Sequence, residues 1–251
     1  MTRRRFYAPG LSFAADGKTV TLSAEEARHA RDVLRLDRGD EVFVFDGAGR
    51  EYRCDIADLS ERSATLNIVE ESQPAKPESP LDLTLAVALL KGEKFDLVVQ
   101  KMTELGVTRL VPLITARADV RIREPQDAVR KVERWRRITL EAAKQCGRAR
   151  LMHVDAPRDF DEFITSIADE RLRVMFTERD GTSLDAAFEA RSEFPRIVAM
   201  VGSEGGWTDH EIESARAKGW KLVTLGGRIL RAETAAIAVA MLLQHRLGDL
   251  R

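Results

Sequence analysis

Between Ser72 and Pro80 the chain places Pro74, Pro77 and Pro80 within nine residues, and neither a helix nor a central strand can run through them. Each proline lacks the N–H that either structure needs, and its ring fixes φ. The chain should therefore fold as two regions, residues 1–72 and 81–251, joined by a linker at 73–80.

The two regions carry different patterns. Before the linker, short alternating apolar runs at Thr19 to Leu22, Glu41 to Phe45, Tyr52 to Ile56 and Ala64 to Val69 predict strands, with Asp46-Gly-Ala-Gly49 as a turn. One helix interrupts them, with Ser23 and Glu26 at capping-box spacing. A small β-barrel is the expectation. After the linker, the apolar strand Leu81 to Leu90 leads into a helix over Glu93 to Leu105, stopped by Gly106, and then a strand over Val107 to Ile114. A basic helical stretch follows at Gln126 to Cys146, and strand-like runs recur at Leu172 to Phe176, Arg196 to Val201 and Lys221 to Leu225. Alternation of this kind predicts an α/β region with a parallel sheet covered by helices.

The net charge of −1 over 251 residues argues against a uniformly basic nucleic-acid coat. That total hides an uneven distribution, for residues 91–150 hold 15 Lys and Arg against 8 Asp and Glu. Charge runs are most often solvated helix faces, so this stretch alone does not decide for RNA. Cys54 and Cys146 have no CxxC spacing, and His29, His153, His210 and His245 form no HxxxH pair, so neither a disulfide framework nor a metal site is expected. The longest apolar stretch is far below the ~18 residues of a membrane span, and the N-terminus lacks the apolar core of a signal peptide. A cytoplasmic protein is expected.

Three segments have the make-up of a site. Val201-Gly-Ser-Glu-Gly-Gly-Trp-Thr208 is a strand end, a glycine-rich loop and a helix start, with Thr208 and Glu211 at capping-box spacing. Its glycines let peptide N–H groups approach a ligand, but the spacing is neither GxGxxG nor a P-loop. Leu225-Gly-Gly-Arg-Ile-Leu-Arg-Ala-Glu-Thr-Ala235 is again a loop between strand and helix. Both loops should leave the same sheet edge, where α/β sheets bind ligands, and each alone is equally a tight turn. The third is Glu141-Ala-Ala-Lys-Gln-Cys-Gly-Arg148, in which helix capping explains Gly147 but not Gln145 or Arg148. The helix Ala235 to Leu243 is apolar on every face, which requires either a partner subunit or burial within the chain.

Taken together with Arg4-Arg-Phe-Tyr-Ala-Pro9, His29, Val33-Leu-Arg-Leu36, Phe45-Asp-Gly47, Lys91-Gly-Glu-Lys94 and Gln100-Lys-Met-Thr-Glu-Leu-Gly-Val107, these segments resemble the RsmE-type family of SPOUT methyltransferases over almost the whole chain. The resemblance implies a PUA-like RNA-binding β-barrel followed by a parallel-sheet domain tied in a deep trefoil knot. It further implies an obligate homodimer and S-adenosyl-L-methionine-dependent methylation of uridine N3 in the decoding region of 16S rRNA. Without it, a non-catalytic RNA-binding ribosome-assembly factor or a SPOUT enzyme acting on tRNA would fit as well. The cofactor residues implied are Thr177, Val201, Gly202, Glu204, Gly205, Gly206, Leu225, Gly226, Arg228, Ile229, Leu230, Thr234 and Ala235. Arg148 and Arg231 are the catalytic candidates, and Glu204 is either a base or a loop-stabilising carboxylate. RNA contacts are expected at Arg4, Arg5, Arg35, Arg121, Arg123, Arg134 and Arg137. The family loops usually carry proline where this chain has Ser203, and often where it has Gly227, so both loops are expected to be more flexible here.

Overall fold

A computed structural model describes residues 3–122, 124–167, 172–188 and 196–250. In chain order the elements are β1 (Arg5–Tyr7), β2 (Thr19–Leu22), α1 (Ala24–Arg28), a π-helical turn (His29–Val33), β3 (Glu41–Phe45), β4 (Glu51–Leu59) and β5 (Ala64–Ser72). There follow β6 (Asp82–Ala88), α2 (Lys94–Glu104), β7 (Arg109–Ile114), α3 (Pro125–Cys146), β8 (His153–Val154), β9 (Arg158–Asp159) and α4 (Phe160–Ser166). The chain is completed by β10 (Leu172–Phe176), α5 (Leu184–Phe188), β11 (Arg196–Val201), α6 (Asp209–Ala217), β12 (Lys221–Val223) and α7 (Ala232–Leu247).

Two compact units result, one of residues 1–78 with 140–151, the other of residues 79–139 with 152–251. The division falls inside the proline-rich segment, but nothing in the sequence hints that residues 140–151 join the first unit. Long-range polar contacts place them there. The Arg148 guanidinium donates to Glu78 at 2.8 and 3.0 Å, Lys144 pairs with Glu26 at 2.8 Å, and the Leu151 N–H donates to the Gly47 carbonyl at 3.0 Å.

The first unit is a five-stranded sheet in the order β1-β3-β4-β5-β2, antiparallel except where β1 runs parallel to β3. Alternate residues such as Val42, Val44, Cys54, Ile56, Ala64 and Leu66 fill its core together with Ala27 and Ala30. β1 escapes the periodicity argument because three residues, one of them Arg5, are too few to show a pattern. Only half of the expected capping box forms at α1: Ser23 accepts the Glu26 N–H at 3.3 Å, while the Glu26 carboxylate is taken by Lys144.

The second unit is a parallel sheet in the order β12-β10-β11-β6-β7-β8, with β9 also pairing β7. Both faces are covered, which explains the unbroken apolar runs of its central strands. Along β11, Ile197, Ala199 and Val201 pack into the cluster built with α2 and α7, whereas Val198 and Met200 pack into that of α4 and α6. At α6 the capping box is complete, Thr208 and Glu211 satisfying each other's N–H groups. Between Ala235 and Leu243 α7 is apolar all round, yet only one side is buried: Ala236, Val239, Ala240 and Leu243 are inaccessible, while Met241 and Leu242 are 47% and 36% exposed. Burial within the chain therefore does not account for its composition.

Candidate functional site

The strand order decides where the site lies. β12, β10 and β11 are neighbours, so the segments leaving their C-terminal ends are brought side by side, at the edge where parallel sheets bind ligands. They enclose a cavity of about 300 Å³, at the lower limit for a small-molecule site. Thr177 and Glu178 line it after β10, Val201 at the end of β11 with Gly202 and Ser203 beyond it, Thr224 to Leu230 after β12, and Ala232, Ala235 and Val239 from α7.

Each wall has a local cause. Thr177 is fixed by its N–H, which donates to the Val223 carbonyl at 2.9 Å, and by its hydroxyl, which donates to the Arg179 carbonyl. Gly202 packs against the Trp207 ring, where a Cβ would come within 3.1 Å, and the Trp207 indole N–H donates to the Phe176 carbonyl at 2.9 Å. The loop of Gly205 is clamped by Arg117, which donates to the carbonyls of Gly205 and Trp207 at 3.2 and 3.1 Å. Ser203 is buried, and its hydroxyl donates to the Arg117 carbonyl at 3.2 Å. The hydroxyl makes a bond that proline could not. Gly227 has φ of +73°, which is closed to proline.

Of the residues the sequence points to, Thr177, Val201, Gly202, Leu225, Gly226, Arg228, Ile229, Leu230 and Ala235 line the cavity. Glu204, Gly205, Gly206 and Thr234 do not, although Glu204 and Thr234 each follow or precede a residue that does. Sequence reasoning missed Glu178 and Thr224, which no motif marks and which only the pairing of β10 with β11 and β12 makes wall residues, and Val239, which joins them through the packing of α7. The fit to a nucleoside-like ligand rests on the backbone. Among the described residues, the peptide groups of residues 225–230 make no backbone hydrogen bond, and are available to a ligand with donors and acceptors of its own.

Charge gathers beside this cavity. Lys94 at the start of α2 donates to Glu204 at 2.7 Å. Burial pushes the Glu204 carboxyl up, but the Lys94 hydrogen bond and charge and its own N–H outweigh this, so it lies below the usual glutamate range. Lys94 is raised in turn, chiefly by its hydrogen bond to Glu204. A carboxylate held ionised in this way is a poor proton acceptor, which favours the loop-stabilising role. The tie contributes fully above the ordinary glutamate pKa and fades as pH falls through the depressed one; on the alkaline side it persists to the ordinary lysine pKa and fades as pH rises through the raised one. Glu204→Gln is therefore expected to lower the melting temperature near neutral pH, with the gap to the parent closing as pH falls below the ordinary glutamate range.

The arginines divide. Arg231 is the exposed N-cap residue of α7. Arg148 is only 4% exposed and committed to Glu78 in the first unit. Arg5 corrects the expectation of an RNA contact, because its side chain is 7% exposed and engaged by Glu51 and main-chain carbonyls. Arg4, Arg35, Arg121, Arg134 and Arg137 are exposed, although Arg134 pairs with Asp96; Arg123 lies outside the described residues. Among the described residues no cluster fits a metal ion, and no helix is long and apolar enough to cross a membrane.

Residues 77–244 match the family model of an RNA methyltransferase domain, and residues 22–69 that of an RNA methyltransferase PUA domain. The chain is 40% identical over 227 residues to the ribosomal RNA small subunit methyltransferase E of Synechocystis, covering 89% of this chain and 72% of that protein. Over 241 residues it is 29% identical to the Bacillus subtilis protein of the same name, covering 94% and 93%. The ribosomal RNA small subunit methyltransferase E of Neisseria gonorrhoeae, solved bound to S-adenosylmethionine, superposes with a TM-score of 0.88 at 32% identity, with full coverage of both chains.

Proposed function

Since this chain belongs to the ribosomal RNA small subunit methyltransferase E family of RNA methyltransferases, we propose that it methylates N3 of one uridine in the decoding region of 16S rRNA. It is an S-adenosylmethionine-dependent enzyme of small-subunit rRNA, and the finer target is our reading. Family membership supports that finer target, and the convergence of three strand-end segments on one cavity whose wall offers unpaired main-chain groups supports the cofactor site. Residues 225–230 would hold the adenine, Glu178 the ribose hydroxyls, and the Gly202–Gly206 loop the remainder. The bound cofactor supplies an activated methyl group on a sulfonium, and no metal is required.

What the protein must add is position and charge. N3 of uracil is an imide nitrogen, so its proton has to leave as the nitrogen attacks, and negative charge then spreads onto the two flanking carbonyls. Arg231, exposed at the α7 N-terminus, supplies a cation for that charge. Arg148 keeps a catalytic assignment only if substrate binding frees it from Glu78, and its structural pairing is the simpler account of its burial. The open apolar side of α7, with Met241 and Leu242, fits a second copy of the chain in a homodimer. The trefoil knot, cytoplasmic location and assembled small subunit as substrate belong to the same reading.

The test is transfer of tritiated methyl from S-adenosylmethionine to unmodified small subunits and to naked 16S rRNA, with nucleoside mass spectrometry of the product. Label is expected as 3-methyluridine at a single position. Label in tRNA, on another base, or in neither RNA would overturn the proposal.

A further inference from the structure

Four ionisable side chains from three segments of the second unit form one cluster beside the cavity. Lys94 opens α2, and Glu204 follows the lining residue Ser203. Arg231 and Glu233 flank Ala232, itself a wall residue, at the start of α7. The fields of both Arg231 and Glu233 act on the Lys94 ammonium, so the cluster is electrostatically continuous.

Its two carboxylates differ in what they accept. Glu204 is occupied by Lys94 at 2.7 Å and by its own N–H. Glu233 buries its Oε2 atom with no donor within hydrogen-bond distance among the described residues. The helix start explains why an acidic residue is favourable at this position, but it does not explain an acceptor withheld from both water and protein. Buried acceptors without donors are rare in folded proteins, and each marks either strain or a role in binding or catalysis.

We infer that Glu233 is the general base of the reaction, accepting the N3 proton of the bound uracil as N3 attacks the methyl group. This rests on the reading of the target as uridine N3. In the step, the N3–H bond breaks with its electron pair left on nitrogen, and the proton passes to the Glu233 carboxylate. The new bond forms between N3 and the methyl carbon, while the carbon–sulfur pair returns to sulfur and discharges the sulfonium. Glu233 then releases its proton to water. Lys94 and Arg231 provide cations as charge develops on the uracil carbonyls, and Glu204 holds Lys94 in place.

The experiment measures single-turnover methyl transfer to small subunits against pH for the parent, Glu233→Gln, Glu233→Asp and Glu204→Gln, with cofactor affinity from calorimetry. Glu233→Gln is expected to bind the cofactor within about twofold of the parent and to slow transfer by about 10²-fold or more near pH 7. Its residual rate should climb steadily with pH as the imide ionises in solvent, a steeper dependence than that of the parent. Glu233→Asp, which keeps a carboxylate, should be slower but keep the parent's shallower pH dependence, and Glu204→Gln should keep it too. Parent-like transfer in Glu233→Gln, an equal loss at every pH, or a loss explained by weakened cofactor binding would overturn the inference. Product mapping separates the two levels. If the parent makes 3-methyluridine and Glu233→Gln is as fast, only the base assignment falls; if the methyl group lands elsewhere, the uridine reading falls first.

Discussion

Replacing Arg5 with alanine is expected to destabilise the N-terminal unit by about 3–5 kcal/mol, the usual cost of leaving one partner of a buried ion pair behind. Glu51 is completely buried and receives Arg5 at 2.9 and 3.1 Å, Arg3 at 2.8 Å and the Ala75 N–H at 3.2 Å. The Arg5 fork also reaches the carbonyls of Ala143, Lys144 and Arg148 at 3.4, 3.4 and 3.0 Å, and lies 4.7 Å from the centre of the Phe45 ring. One side chain thus joins β1, β4 and the segment 140–151. Lysine cannot reproduce this, because a single ammonium lacks the planar set of donors, so Arg5→Lys should rescue little. Hydrogen exchange is the suitable measurement, since Trp135, Trp207 and Trp220 all belong to the other unit. Protection of the β3 and β4 amides should fall by about 10²-fold or more, at 1.4 kcal/mol per factor of ten. Unchanged protection with weakened RNA binding would restore the surface role that the sequence suggests.

The second large effect is expected at Gly205. A Cβ there would lie 2.9 Å from the Arg117 Cβ and 3.1 Å from its carbonyl oxygen, so the loop must shift rather than a flexible side chain give way. The displacement would break the Arg117 clamp and pull Gly202 and Ser203 out of the cavity wall. Overpacking of this kind costs about 1–3 kcal/mol, which predicts a loss of about tenfold to 10²-fold in S-adenosylmethionine affinity for Gly205→Val, read by calorimetry. Affinity equal to the parent's would remove the loop from the cofactor site. At Gly226 an added Cβ would meet no atom within 4 Å, but the residue sits at φ +73°, so alanine there tests backbone strain without a clash.

Local physics made much of this protein legible from its sequence. The prolines at 74, 77 and 80 locate the break between two patterns, and period-two alternation, unbroken apolar runs and the Thr208–Glu211 box place most strands and helix starts within a few residues. All of these depend on neighbours within one or two turns of chain. The glycine loops were visible for the same reason, and with them half of the cavity wall. What lay beyond reach was the fate of charge. Glu26 has the spacing of a capping box, but its carboxylate goes to Lys144, 118 residues away; Arg148 finds Glu78 across 70 residues, and Arg5 finds Glu51 across 46. An ion pair is chosen by distance in space, and sequence separation carries no information about it. The same holds for Glu178 and Thr224, which become wall residues only because β10 lies between β11 and β12, and for Glu233, whose unpaired oxygen exists only once α7 is packed. Sequence by itself determined the elements and the loops that carry chemistry. Tertiary structure decided which charged groups are struts and which remain free to act, because only the folded chain sets the distances on which burial and pairing depend.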